Sequence, residues 1–487
     1  MSGTSTVVMR NLIFGVFGET VSGALNFITL ILIARSLGTS EFGNFSYILA
    51  FVGIFQLLAD MGLTNTLVRE IARERDRVLE IVGALRPLAW ISSIIIFLII
   101  ALLGWPLSAT TEIYQATLLL GLAVLATFHS FSYASVCRAF EEMGYNATGN
   151  VAHKLLQIGL VIIALQLDSG IVGIAVAMLV ANVFQWLFFR TVVRQRYVRG
   201  LRWRYDISYW RYLLVEAIQV GFAMVFRRAN QQVGTLMLAA MSSSTSVGLF
   251  SAAYKIIQMI DMIPFTLSLP FFPHISRLAR EAPEQLFQLL EKVWRLFMII
   301  AAPITIWLYV MSPRLIELMF GASYSNATST LRVLTFTVLL LFLTALYAYI
   351  FLAIQRQRFY TISSALCLAA NIIAGIILIP LYHHLGAAMA ALAGEIIFCL
   401  SGAWMLYTLG LRLNIMRVVV APIAIALVVA PILYLALHTS LLIAVMYSLV
   451  YTLLYLVIVV VSGTLRKDER NFIVSFFIKR NTAETRP

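Results

Sequence analysis

The sequence predicts an all-α polytopic membrane protein with about fourteen spanning helices, and three observations carry that prediction. Of its 487 residues, 61% are hydrophobic and only 12% charged, whereas a soluble domain is nearer a quarter charged. The apolar residues come in runs of about 20 without alternating polar positions, which suits helices crossing a bilayer rather than barrel strands. Lys and Arg gather on one side of the spans so drawn. Mean hydropathy is +0.92.

Taken in order, the spans lie roughly at 11–34, 43–66, 83–104, 113–135, 147–166, 171–191, 212–240, 247–272, 292–311, 328–353, 360–381, 386–408, 414–437 and 441–463. The first is too long for a cleaved signal peptide and is predicted to stay as a helix. An even count puts both termini on one side. Of 35 Lys and Arg, 29 fall on that side, Arg138 and Lys154 after span 4 among them. Three fall opposite (Arg35, Arg314, Arg332) and three inside the membrane (Arg227, Arg228, Lys255). By the positive-inside rule both termini are cytoplasmic, and the expected location is the cell (inner/cytoplasmic) membrane. The net charge of +13 is then a topology signal and a contact for anionic lipid, with no call for nucleic acid.

Two stretches repeat. "FGNFSY" (Phe42 to Tyr47) precedes "REIARE", and "VGLFSA" (Val247 to Ala252) precedes "SRLARE". "GIVGIAVAMLVAN" before span 6 echoes "HHLGAAMAALAGE" before span 12. A parallel duplication of six spans follows, an arrangement that in transporters places the substrate site near the midplane between the halves. The predicted parts are an N-lobe (1–193), a basic cytoplasmic linker (194–211), a C-lobe (212–411), two extra helices (412–463) and a cytoplasmic tail (464–487).

The motifs "ARSLGTSEFGNFSY", "DMGLTNTLVREIAR", "VGLFSAAYKIIQ", "LPFFPHISRLARE", "MFGASYSNA" and "IPLYHHLGAAMAALAGE" resemble the polysaccharide biosynthesis protein family over about residues 8–410. That family holds the O-antigen-type lipid-linked oligosaccharide flippases, within the multidrug/oligosaccharidyl-lipid/polysaccharide exporter superfamily. The resemblance implies a two-lobed, V-shaped transporter with a central cavity lined mainly by helices 1, 2, 7 and 8. It implies alternating access that turns a polyprenyl-diphosphate-linked glycan to the outer leaflet, driven by an ion gradient (H+ or Na+) with no other cofactor. Membrane lipids, a glycan polymerase and other assembly proteins are the implied partners.

Helical spacing picks out polar stripes independently of the family. On span 7, Glu216, Gln219, Ala223, Arg227, Asn230 and Gly234 lie within about 60° of one line, with Arg228 on the flank. Span 1 carries Gly15, Glu19, Ser22, Gly23 and Asn26; span 8 carries Ser251, Lys255, Met262 and Thr266, with Asp261 off that face. Span 2 adds Gln56, Asp60 and Asn65 near its cytoplasmic end. Intramembrane charge costs at least about 2.5–3.5 kcal/mol and so marks function or a structural pair. The substrate candidates are Arg227, Arg228, Lys255, Asn230, Gln231, Glu19 and Asn26. An arginine fork suits a diphosphate, and amides suit sugar hydroxyls. The candidates for ion coupling or counter-ions are Glu19, Glu216, Asp261, Glu395 and Asp60. The plainer alternatives are structural pairs, Glu19 with Arg227 and Lys255 with Asp261, and a packing hydrogen bond for Glu395.

No catalytic residue and no metal site is expected. The three cysteines have no C-x-x-C spacing, and His383–His384 lacks carboxylates at ligand spacing. Two other functions compete: a cation-coupled multidrug antiporter of the same fold, and a membrane glycan polymerase or transferase. Deep arginines oppose the first. Short outer loops, too small to house acid–base groups, oppose the second.

Overall fold

The computed structural model describes residues 2–60, 62–197, 204–410, 415–437 and 439–465; the side chains of 2–14, 16, 216–224, 283 and 415–417 are outside it. Among the described residues the chain is helical, with no strand. Eleven helices among the described residues are long and apolar enough to cross a membrane. The expected count of fourteen exceeds this at three places. Spans 1 and 2 form one continuous helical stretch, α1 (Ser2–Asp60), broken only at Gly38. There φ is 74° and ψ 178°, a left-handed backbone that glycine adopts without a Cβ clash. Span 7 is α7 (Ile207–Met241), whose middle side chains are outside the description. Span 13 divides before Pro431, which lacks the N–H a helix interior needs, into α15 (Ile415–Val429) and α16 (Pro431–Ala436).

The chain forms two compact units. The first is residues 1–251 with 379–387. It holds α1, the amphipathic α2 (Leu63–Arg73), α3 (Val78–Leu107), α4 (Thr111–Ala139), α5 (Met143–Gln166), α6 (Gly170–Arg196), α7 and the first turns of α8 (Ser244–Ser268). Of the spanning helices α4 is the most enclosed, with 67% of its apolar window buried. It packs on α1, α2, α3 and α6, and its small residues Ala116, Gly121, Ala123 and Ala126 let those helices approach.

The second unit, residues 252–378 with 388–487, holds the rest of α8 and α9 (Phe272–Glu281), α10 (Pro283–Phe320), α11 (Ala327–Thr344) and α12 (Tyr347–Ala353). Most of α13 (Gln357–Tyr382) and α14 (His384–Thr408) follow, then α15, α16 and α17 (Leu441–Val461). Only 22% of α17's apolar window is buried. Its outer face (Leu442, Leu453, Val457, Val461) has the apolar exposure a lipid-facing helix requires.

Prolines inside the helices leave carbonyls four residues back without an N–H partner, and at three of them another donor supplies one. Pro303 in α10 orphans the Ile299 carbonyl, which accepts from Tyr455 Oη on α17 at 3.0 Å. Pro313 orphans Tyr309, which accepts from Ser312 Oγ at 2.9 Å. Pro87 in α3 orphans Gly83, which accepts the Arg204 backbone N–H at 3.1 Å. The last contact, with Trp210 Nε1 on the Ala84 carbonyl at 2.6 Å, docks the start of α7 onto α3. Burial, with Glu70 behind it, pushes the nearby Tyr209 phenol up to about 12.

Candidate functional site

In the first unit, α1 and α5 run side by side. A Cβ on Gly18 would lie 2.6 Å from the Ala147 Cβ, so α1 closely approaches α5 near the start of α5. Two turns further along each helix, Lys154 Nζ donates to Asn26 Oδ1 and to Gln157 Oε1, both at 2.9 Å. This corrects the sequence placement of Lys154 on the cytoplasmic side. The helix starts at Met143 rather than 147, so Lys154 is the twelfth of its 24 residues and sits at mid-span. The polar residues Asn146, Asn150, His153, Lys154 and Gln157 of α5 were not singled out from sequence. The signal was present in "NATGNVAHKLLQ", where the polar side chains recur at helical spacing.

Neighbouring contacts continue this polar interior. Gln185 Nε2 on α6 donates to Asn150 Oδ1 at 3.0 Å, and Thr127 Oγ1 on α4 to Asn182 Oδ1 at 2.9 Å. Asp60 closes α1 by accepting the Thr64 N–H at 3.1 Å and the Thr64 hydroxyl. Arg138 at the end of α4 donates to Ser135 Oγ at 3.0 Å and lies within the electrostatic reach of Asp60 and Glu19. Glu19 is exposed and forms no ion pair among the described residues, so the Glu19–Arg227 pair weighed from the sequence is not formed.

On α7 the stripe divides. Asn230 (5% exposed) and Gly234 are buried, and a Cβ on Gly234 would lie 3.1 Å from Phe250. Gln231 and Arg227 are half-buried, whereas Arg228 is exposed and itself makes no hydrogen bond or ion pair among the described residues. Of the two arginines, Arg228 is therefore the more open. The side chain of Glu216 lies outside the described residues.

At the end of α1's first limb, the two repeated glycines meet. A Cβ on Gly43 would lie 1.8 Å from the Ser244 carbonyl oxygen, and one on Gly248 would lie 1.9 Å from that of Thr39. Ser40 Oγ and Ser244 Oγ are 2.8 Å apart, and Ser242 Oγ is 3.1 Å from His383 Nδ1. All of these belong to the first unit, because residues 379–387 join it.

In the second unit Lys255 Nζ donates to Gln258 Oε1 at 2.9 Å, and among the described residues no ion pair joins it to Asp261. Glu395 is buried in α14 beside Gly394, where a Cβ would come 3.0 Å from the Cys367 carbonyl of α13. The three cysteines are buried and form no disulfide among the described residues. The expected cytoplasmic tail lies, beyond Leu465, outside the described residues.

A model of the polysaccharide biosynthesis protein family matches residues 8–279. The chain belongs to this family. The match ends within α9, so "MFGASYSNA" and "IPLYHHLGAAMAALAGE" lie beyond it, and the expected extent to about 410 is not reached. No curated protein sequence matches. Among solved structures, the lipid II flippase MurJ in an inward closed conformation is similar at 14% identity. That likeness covers 94% of this chain and 99% of the other, with a TM-score of 0.76. An inward-facing multidrug resistance MATE family transporter of the MOP superfamily is 17% identical over 83% of this chain and 99% of the other, at a TM-score of 0.66. A MOP superfamily transporter from Pyrococcus furiosus is 17% identical over 85% of this chain and 96% of the other, at 0.58. At these identities the likeness is one of fold. This member of the polysaccharide biosynthesis family is a multi-pass membrane protein with the helical fold of MOP superfamily transporters and flippases.

Proposed function

We propose that the protein moves a polyprenyl-diphosphate-linked oligosaccharide, such as an O-antigen, capsule or exopolysaccharide repeat unit, from the cytoplasmic to the outer leaflet of the inner membrane. Alternating access between the predicted lobes (1–193 and 212–411) would carry the head group across while the lipid tail stays in the bilayer. The observation that carries this reading is the sign of the charge within the spans. Arg227 and Arg228 on α7 and Lys255 at mid-α8 are cations, and the hydrogen-bond acceptor of Lys255 among the described residues is a neutral amide. Fixed cations attract a diphosphate and repel a cationic drug. Arg228, exposed and unpaired among the described residues, is the proposed first contact of the phosphates. Asn230 and Gln231 are proposed to serve the sugar, and a transmembrane H+ or Na+ gradient to drive the cycle through Glu19, Asp60, Glu216, Asp261 or Glu395.

The exposed carboxylate of Glu19 favours the second reading, a cation-coupled multidrug antiporter. Both readings make the protein a transporter without a catalytic step. The experiment reconstitutes the protein in vesicles with a fluorescent polyprenyl-diphosphate oligosaccharide and scores leaflet transfer, with ethidium efflux as the second arm. Transfer by the parent that is lost in Arg228→Ala and Arg227→Ala, without ethidium efflux, supports the flippase. Ethidium efflux lost in Glu19→Gln, without lipid transfer by the parent, replaces it with the antiporter.

A further inference from the structure

Lys154 was not among the residues the cavity expectation named, and its surroundings are those of a binding group rather than a strut. Eleven residues into α5, at about 1.5 Å each, it sits about 16 Å along a helix that crosses a core of about 30 Å. An ammonium at that depth is costly unless something compensates its charge. Nothing anionic does so here: its two acceptors are the neutral amide oxygens of Asn26 and Gln157, and no carboxylate pairs with it among the described residues. Its third N–H has no acceptor among them either. The residue is half-buried rather than fully enclosed. Next to it, the buried His153 feels its charge, and His153 Nε2 has no hydrogen-bond partner among the described residues.

The second unit repeats the device. "KLLQ" in α5 (Lys154 to Gln157) and "KIIQ" in α8 (Lys255 to Gln258) each place a lysine twelfth in its helix. In each the ammonium is bonded at 2.9 Å to the glutamine three residues on. A lysine retained only to fasten helices would be neutralised by an acid, since an uncompensated charge in the membrane opposes the packing it serves. Amides instead hold the ammonium in place without cancelling it, and their own N–H groups can add donors to an incoming oxyanion.

We infer that Lys154, oriented by Asn26 and Gln157, is an anion-binding site of the first unit that takes a phosphate group of the transported lipid. The inference rests on the proposed diphosphate cargo but not on its sugar or on its transfer. The site complements the α7 arginines: a head group leaving Arg228 finds a second fixed positive charge at mid-span.

The test is equilibrium binding of radiolabelled farnesyl diphosphate to the full chain in detergent micelles, with inorganic pyrophosphate and farnesol as competitors. Lys154→Met is expected to weaken farnesyl diphosphate binding about tenfold, and Lys154→Arg to restore most of it. Farnesol should compete equally in all variants if the loss is one of charge recognition. Asn26→Asp keeps size and places a carboxylate beside the ammonium. It is expected to weaken binding similarly while leaving the melting temperature unchanged or higher, and it remains informative if Lys154→Met does not fold. Diphosphate binding indifferent to Asn26→Asp overturns the inference, as does an equal loss of farnesol binding, which would mark a structural lysine. Competition by inorganic pyrophosphate as strong as by farnesyl diphosphate would assign the site to a free anion and overturn the lipid assignment. Lys154-dependent binding without oligosaccharide transfer by the parent protein would refute the flippase reading and leave the site standing. Transfer with Lys154-independent binding would do the reverse.

Discussion

A methyl group at Gly43 should pry open the contact between the repeated glycines. Its Cβ would begin 1.8 Å from the Ser244 carbonyl oxygen and 2.7 Å from the carbonyl carbon. Real Cβ contacts do not fall below 3.0 Å, so the neighbouring backbone must retreat by about 1.2 Å, from 1.8 to 3.0 Å. A carbonyl oxygen cannot rotate out of the way as a side chain can, so α8 itself must move. Overpacking of this kind costs about 1–3 kcal/mol, enough to shift an equilibrium between closed and open contact about 5- to 150-fold. The assay pairs Ser40→Cys with Ser244→Cys, whose hydroxyls stand 2.8 Å apart, in the full chain. The native cysteines Cys137, Cys367 and Cys399 are buried and should not interfere. Disulfide formation under mild oxidation should be rapid in the parent and at least fivefold slower with Gly43→Ala or Gly248→Ala, at an unchanged folded fraction by size exclusion. Cross-linking at the parental rate in a folded Gly43→Ala protein would refute the reasoning, since it would show that the helices meet without needing a residue that lacks a Cβ.

Other contacts give further expectations. Tyr455→Phe leaves the Ile299 carbonyl without its donor and should destabilise the second unit by about 1–3 kcal/mol. Combining it with Pro303→Ala, which returns an N–H to that carbonyl, should remove most of the loss; additive melting shifts would disprove the coupling. Trp210→Phe gives up the 2.6 Å bond to Ala84; with the dock weakened by about 1 kcal/mol, tryptic cleavage at Arg204 should quicken severalfold, and an unchanged rate counts against the dock. Arg314 donates to the Ala436 carbonyl and, at 2.6 Å, to that of Thr439. Arg314→Met should therefore lower the melting temperature more than Arg332→Met, whose guanidinium instead lies over the Tyr309 ring at 5.4 Å.

How far the sequence could be read depended on which physical effect decides each feature. Hydropathy located nearly every helix, because a bilayer rewards long apolar runs regardless of what they pack against. Gly38 and the glycines of "FGNFSY" and "VGLFSA" could be found as a turn and a repeat, but not as partners, since their meeting depends on two backbones distant in sequence. Lys154 is hidden for a smaller reason: as the next cation after Arg138 it reads as cytoplasmic although the run 147–166 contains it, and α5, which starts at Met143, places it twelfth of 24 residues. The α7 stripe exposes a deeper ambiguity. Small and polar residues at helical spacing mark both a lined cavity and a tight helix contact, because each needs a face without bulky apolar side chains. Periodicity correctly separated Arg227 from Arg228 by about 100°. It could not say which face was open, and the structure buries Asn230 and Gly234, the latter against Phe250, while leaving Arg228 exposed. The same holds for the orphaned carbonyls of Pro87 and Pro303. A sequence announces that a donor is missing, whereas the groups that replace it, Arg204 N–H and Tyr455 Oη, are chosen by the tertiary fold. A polar residue in a membrane span is thus a reliable pointer to a constraint. Whether the constraint is a ligand or a neighbouring helix is decided by compensation: Asn26 with Gln157 leaves a charge to be answered, and Tyr455 with Ile299 leaves nothing over.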